Sequence, residues 1–187
     1  DRVVLAVPPT IWPKIVFDPP LPGGIAPQLG HTIKELVTLE RPVWLETRTS
    51  PDSVSDGAIS LTWSPPTTNS AGRRVLAAFS SGEAADHLRS KRGAAHKELI
   101  LSELDALHPG TRAAFVASRF MDWPSEEWTR AGYSFPAPGE TTTRLKRLRE
   151  PFGALIVAGE HTSTSFPGYM EGALESGVRA ARLAFPG

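Results

Sequence analysis

Along Thr32-Ile-Lys-Glu-Leu-Val-Thr-Leu39, Ile33, Val37 and Leu39 fall in one set of alternate positions and Thr32, Lys34 and Thr38 in the other. A period of two sends one face of a strand into a core and leaves the other outside. The pattern predicts a long strand there, ended by Pro42 and Trp44. Shorter apolar runs predict strands over Ile59–Trp63, Arg74–Ser80 and Ala113–Arg119. Pro51–Gly57 reads as a turn-rich loop and residues 64–72 as a hairpin connection. The period then lengthens. Ser81-Gly-Glu opens a helical region to about Ser90. Leu99, Leu101, Leu104 and Leu107 mark an amphipathic helix over Ala94–Leu107, closed by His108-Pro-Gly. Near the start, Arg2-Val-Val-Leu-Ala-Val7 reads as a buried strand stopped by Pro8-Pro9, and Pro19–Gly24 as a loop. Asp122–Gly139 is irregular and rich in aromatic residues, and Thr142–Leu148 reads as a short helix.

The most informative stretch comes last. An apolar run, Ala154-Leu-Ile-Val-Ala158, leads to Gly159-Glu160 and a loop of small hydroxylated residues. From Gly168, apolar or small residues recur at Met170, Ala173, Leu174, Gly177, Val178 and Ala181, the spacing of a helix running to about Leu183. Strand, glycine turn and helix together make an anion-binding arrangement, because the first helical N–H groups are unpaired and the dipole is positive there. An ordinary βα unit reads the same way, and no G-x-G-x-x-G fingerprint is present.

Composition narrows the classes. Lysine plus arginine equal aspartate plus glutamate, for a formal net charge of zero, so no basic nucleic-acid footprint is expected. Cysteine is absent, which removes disulfides and thiolate chemistry. No apolar run is long enough to span a membrane, no targeting motif is visible, and no spacing of His, Asp and Glu suggests a metal site. A soluble, cytoplasmic setting is the expectation.

Ala158–Ala181, AGEHTSTSFPGYMEGALESGVRAA, resembles the C-terminal flavin-binding motif of the flavin-dependent amine oxidases, the family of monoamine, polyamine and L-amino-acid oxidases. Arg2–Pro22, RVVLAVPPTIWPKIVFDPPLP, resembles the strand and Pro-Pro turn that precede the family's substrate domain, and Gly30–Lys34, GHTIK, its lysine segment. The resemblance covers nearly the whole chain, more weakly from about Ser50 to Gly110. It implies an α/β fold with an α+β substrate part. Rossmann-like elements of an FAD-binding domain, residues 1–6 and 151–187, would flank a substrate-binding domain, residues 7–150, made of an antiparallel sheet with helices on one side. It also implies a C-terminal portion of a longer enzyme. The missing fingerprint would lie in an N-terminal portion, needed for FAD binding, and the complete enzyme would be a homo-oligomer.

The resemblance assigns roles residue by residue. Lys34 matches the lysine that holds a water against the flavin; without it, an exposed strand lysine is the commoner reading. Tyr133 and Tyr169 match the tyrosine pair that flanks the amine, and Trp123 a tryptophan beside the flavin. Core packing is the default for such aromatics. Cofactor contacts are implied for Ala6, Val7, Pro8, Trp123, Gly159, Glu160, Gly168, Tyr169, Met170 and Ala173. Glu160 would accept a hydrogen bond from a ribityl hydroxyl. Leu61 and Trp63 fall on the expected substrate wall with Tyr133 and Tyr169. Gly132 stands where monoamine oxidases carry their flavin-linked cysteine, so FAD would be held noncovalently. His161 is not needed as a base, His31 reads as a strand-edge residue, and His87, His96 and His108 as residues of polar faces. The expected reaction is FAD-dependent oxidation of an amine to an imine, with oxygen reduced to hydrogen peroxide. An L-amino-acid oxidase is the alternative. A carotenoid-desaturase-like or protoporphyrinogen-oxidase-like flavoenzyme and a flavin-less binding scaffold are further readings.

Overall fold

A computed structural model describes residues 1–66 and 74–185. Residues 67–73, which include most of the expected hairpin connection at 64–72, therefore lie outside the described residues. The chain forms two compact units. One comprises Asp1–Gly30 and Ser125–Gly187, the other His31–Pro124.

The His31–Pro124 unit is built on an antiparallel sheet of five strands: β2 (Thr32–Leu39), β3 (Ser53–Val54), β4 (Leu61–Trp63), β5 (Arg74–Ser81) and β6 (Phe115–Asp122), in the order β3-β4-β5-β2-β6. The alternation along β2 is realised: Ile33, Glu35, Val37 and Leu39 are buried while Lys34, Leu36 and Thr38 are half-buried. The buried face carries Ile33, Val37, Leu39, Leu76 and Ala78. They pack with Ala85 and Leu88 of α2 (Gly82–Arg89) and with Ile100 and Leu104 of α3 (Gly93–Leu107). Each buried leucine or isoleucine contributes about 1.5–3 kcal/mol. The helices thus cover one face of the sheet.

Two local expectations change. Trp44 lies not at the end of the strand but buried in the short helix α1 (Val43–Glu46), whose N-cap is Pro42. Ala113 and Ala114 belong to a helical turn, α4 (Thr111–Ala114), and β6 begins only at Phe115, continuing to Asp122 because β2 offers partners up to Ile33↔Asp122. His96 and His108 are not on polar faces. Each is buried beside a polar group: His96 Nε2 lies 3.1 Å from a Glu35 carboxylate oxygen and Nδ1 3.1 Å from the Leu88 carbonyl, and His108 Nε2 lies 2.8 Å from the Thr62 hydroxyl.

In the other unit, β1 (Val3–Leu5) pairs in parallel with β7 (Leu155–Val157), and Ala158 N–H donates to the Leu5 carbonyl at 2.9 Å. Leu5 and Val157 share a core with Trp12, Ile25 and Leu148. Trp12 is turned back by a 3-10 helix over Pro9–Lys14, and its indole N–H donates to the Val7 carbonyl at 3.1 Å. Leu148 comes from α5 (Arg144–Leu148). This packing gathers residues 7–30 and 125–150 in one compact unit with β1, β7 and α6. The last helix, α6 (Met170–Ala184), buries a face of small residues, Gly172, Ser176 and Ala180. Its more apolar stripe, Met170, Leu174 and Val178, faces outward.

Candidate active site

Both parallel strands of the first unit end toward the same place. Ala6, Val7 and Pro8 follow β1, and Ala158 and Gly159 follow β7. Ligands of parallel sheets bind beyond such carboxyl ends. Gly159 sits at φ +134°, and a Cβ there would collide with the His161 ring, so the turn requires glycine. Its N–H donates to the Ser176 hydroxyl at 2.8 Å, and that hydroxyl donates to the Ala173 carbonyl at 2.7 Å. The turn is thereby tied to α6. Arg179 adds a second tie: its guanidinium donates to the carbonyls of Val157 at 2.6 Å and Arg149 at 2.8 Å.

Glu160 opens a 3-10 turn, Glu160–Thr162. One carboxylate oxygen accepts the Ser134 N–H at 2.8 Å; the other accepts the Ser134 hydroxyl at 2.6 Å and the Gly168 N–H at 2.5 Å. These partners adjoin Tyr133 and Tyr169 in sequence. The Tyr133 ring lies against Gly168, where an added Cβ would come within 3.3 Å of Cδ2. Gly168 is also at φ +82°, a conformation that disfavours side chains. Tyr169 is the N-cap of α6, and no side chain caps that helix. The first N–H groups and the positive dipole end are therefore left for an outside acceptor. Tyr169 and Met170 are 70% and 86% exposed there, and Ala173 is exposed one turn on.

His161 is buried behind this turn, edge-on to Trp12 with ring centroids 5.9 Å apart, and its Nε2 has no partner among the described residues. Burial pushes its pKa down to about 4; the Glu160 charge opposes this and Arg179 reinforces it. The ring is neutral at pH 7.

The second unit carries the remaining expected residues. Lys34 stands opposite Phe79 on one side and Met121 on the other, and Leu61 is also opposite Phe79. Residues directly opposite in an antiparallel pair share a face. Leu61, Phe79, Lys34 and Met121 therefore form a row on the face away from α2 and α3. Trp63, two residues beyond Leu61, lies on the same face, and the Lys34 ammonium sits 5.6 Å from its ring centroid. Trp123 is half-buried in a 3-10 turn after β6. His31 is exposed and lies 2.9 Å from an Asp86 carboxylate oxygen.

The structure thus joins Tyr133, Glu160, Gly168 and Tyr169 in one unit, and Lys34, Leu61 and Trp63 on one sheet face in the other. Ser134 and Ser176 escaped the sequence reading. A single serine in an irregular loop or in a helix carries no periodic signal, and only the fold shows what its hydroxyl meets. Among the described residues, no three His, Asp or Glu side chains gather as a metal site, and no helix is long and apolar enough to cross a membrane.

Comparison with known proteins places the chain in a family. The family described as flavin containing amine oxidoreductase matches residues 1–184. Human amine oxidase [flavin-containing] B is 33% identical over 96% of this chain and 36% of its own length. An L-amino acid dehydrogenase of Synechocystis is 30% identical over 96% of this chain and 39% of its own. Among solved structures, wild-type putrescine oxidase bound to putrescine superposes with a TM-score of 0.85 at 28% identity, over 98% of this chain and 43% of that one. Cyclohexylamine oxidase from Brevibacterium oxydans, at 23% identity and a TM-score of 0.86, shares the fold. The chain spans about two fifths of the length of these relatives. The family match spans nearly the whole chain, and on it this chain belongs to the flavin containing amine oxidoreductases.

Proposed function

We propose that the chain forms the amine-facing part of an FAD-dependent amine oxidase. The observation that carries this reading is the Tyr133 ring packed on Gly168 beside Tyr169, at the uncapped start of α6. The donor chemistry fits a flavin: free helical N–H groups suit its carbonyl oxygens, and the Gly159 and Gly168 turns let backbone approach a flat ring. Ala6, Val7, Pro8, Gly159, Glu160, Gly168, Met170, Ala173 and Trp123 would hold it. Glu160 already accepts from three protein donors, leaving about one lone-pair direction for a ribityl hydroxyl. No cysteine is available for a thioether, which supports noncovalent binding. The exposed stripe Met170-Leu174-Val178 and the two-stranded β1–β7 sheet support completion of the flavin domain by an N-terminal portion of the same enzyme.

When bound, the flavin supplies the two-electron acceptor that turns the amine into an imine, which water hydrolyses, and oxygen then takes the electrons as hydrogen peroxide. The protein binds and orients. Tyr133 and Tyr169 offer aromatic faces that attract an ammonium and keep water from the amine. Leu61 and Trp63 present an apolar wall that suits an apolar or aromatic amine. Lys34 is assigned to flavin reoxidation, where a fixed ammonium favours negative charge developing on oxygen. An L-amino acid is the second reading, favoured by the similarity to an L-amino acid dehydrogenase.

Tyr169→Ala and Tyr169→Phe test the cage. With flavin still bound, Tyr169→Ala is expected to slow flavin reduction by at least about tenfold, since positioning supplies several kcal/mol of barrier, while Tyr169→Phe costs much less. Equal impairment of the two variants, measured by stopped-flow absorbance, makes the hydroxyl the working group and removes the cage.

A further inference from the structure

The chain has two tyrosines, Tyr133 and Tyr169, and both adjoin backbone that one carboxylate holds. Glu160 accepts through one oxygen from the Ser134 N–H at 2.8 Å and through the other from the Ser134 hydroxyl at 2.6 Å and the Gly168 N–H at 2.5 Å. Ser134 is 6% exposed, so these bonds compete little with water. On the far side of Tyr133, its carbonyl accepts the Gly30 N–H at 2.9 Å and Gly132 N–H donates to the Gly30 carbonyl at 2.7 Å. The Tyr133 loop is thus pinned on one side to Gly30 and on the other to Glu160. The start of α6 is held by the same carboxylate.

We propose that Glu160 is the positioning residue of the tyrosine pair, tying the Tyr133 loop to the turn that carries Tyr169 and thereby fixing the spacing of the two rings. The proposal rests on the cage reading above. Charge-assisted hydrogen bonds to backbone N–H groups are short and strong, and a carboxylate accepts through both oxygens at once. Glutamine cannot replace it. Whichever way its amide is turned, the NH2 faces either the Ser134 N–H or the Gly168 N–H, donor against donor. One loop is then released with almost no change in side-chain volume.

The test uses the flavin-loaded protein carrying Glu160→Gln, with Ser134→Ala as the milder variant, because it removes only the hydroxyl bond. Fluorotyrosine labelling gives a 19F resonance for each ring, assigned through Tyr133→Phe and Tyr169→Phe. Glu160→Gln is expected to shift or broaden both resonances and to raise KM for the amine roughly tenfold, as loss of one charge-assisted bond implies, with a smaller change in kcat. Ser134→Ala is expected to move both readouts less. Unchanged resonances and unchanged KM in Glu160→Gln overturn the proposal. Should that variant fail to fold, Glu160→Asp keeps the charge but withdraws it by one methylene; shifts in both readouts support the clamp and their absence overturns it. If Tyr169→Ala slows flavin reduction while Glu160→Gln leaves both readouts unchanged, the clamp fails and the cage stands. If Tyr169→Ala itself has no effect, the cage reading fails first.

Discussion

Lys34 shows how one residue's position is set by its neighbours. It lies in β2, between β5 and β6 of a five-stranded sheet, on the face that α2 and α3 leave open, with its ammonium 5.6 Å from the Trp63 ring centroid. A one-residue slip of β2 would exchange it with Glu35, which is buried against His96. The buried pair and the open lysine therefore favour the same register. Replacing Lys34 with methionine is expected to slow reoxidation of reduced flavin by oxygen on the order of tenfold, ~1.4 kcal/mol of barrier, with little change in thermal stability. Reoxidation at the parent rate in a stopped-flow experiment takes Lys34 out of the mechanism. Its place inside a strand was legible from alternation alone. Its contact with Trp63 was not, because that contact depends on how β4, β5 and β2 are ordered across the sheet.

At the scale of elements, the turn from Gly159 to Thr162 links β7 to the helix that presents Tyr169. It holds a buried, neutral His161 whose pKa is pushed down to about 4. In the unfolded chain this histidine titrates near its ordinary 6.5. The folded state is therefore favoured fully above pH 6.5, and that advantage is lost as pH falls through the window down to about 4. The amount at stake is on the order of 3 kcal/mol. His161→Leu removes the titration, so its melting temperature should fall less steeply than the parent's across that window. Parallel curves from thermal scans at several pH values contradict the assignment. The elements themselves were largely legible. The long strand β2, the helix α3 and the strand–turn–helix at the end of the chain each follow a clear period. Short pieces such as α1, α4 and β3 were not, because two to four residues carry no period and tertiary packing decides them. The exposed stripe of α6 is the instructive case. Periodicity located the helix, but the face buried among the described residues is the one with small side chains, where Ser176 and Arg179 bond to the turn and to β7.

At the scale of the molecule, both ends of the chain meet in one unit, and the unit holding the five-stranded sheet is continuous from His31 to Pro124. Trp12, Ile25 and Leu148 look like any core residues in sequence. Only their shared packing on Leu5 and Val157 assigns them to the β1–β7 unit. The candidate site's backbone turns were legible where long motifs carried them, at Gly159-Glu160 and Gly168-Tyr169. The site was hidden where lone serines complete it. In the proposed function, amines pass electrons to a flavin held at the start of α6. This is tested most directly by mixing the flavin-loaded protein anaerobically with apolar and aromatic amines and, separately, with L-amino acids, while following the yellow absorbance. Bleaching by at least one apolar or aromatic amine is expected, with return of the colour and release of hydrogen peroxide when oxygen is admitted. Bleaching by L-amino acids alone would transfer the chemistry to the second reading, and a flavin that stays yellow with every amine and amino acid would contradict the account.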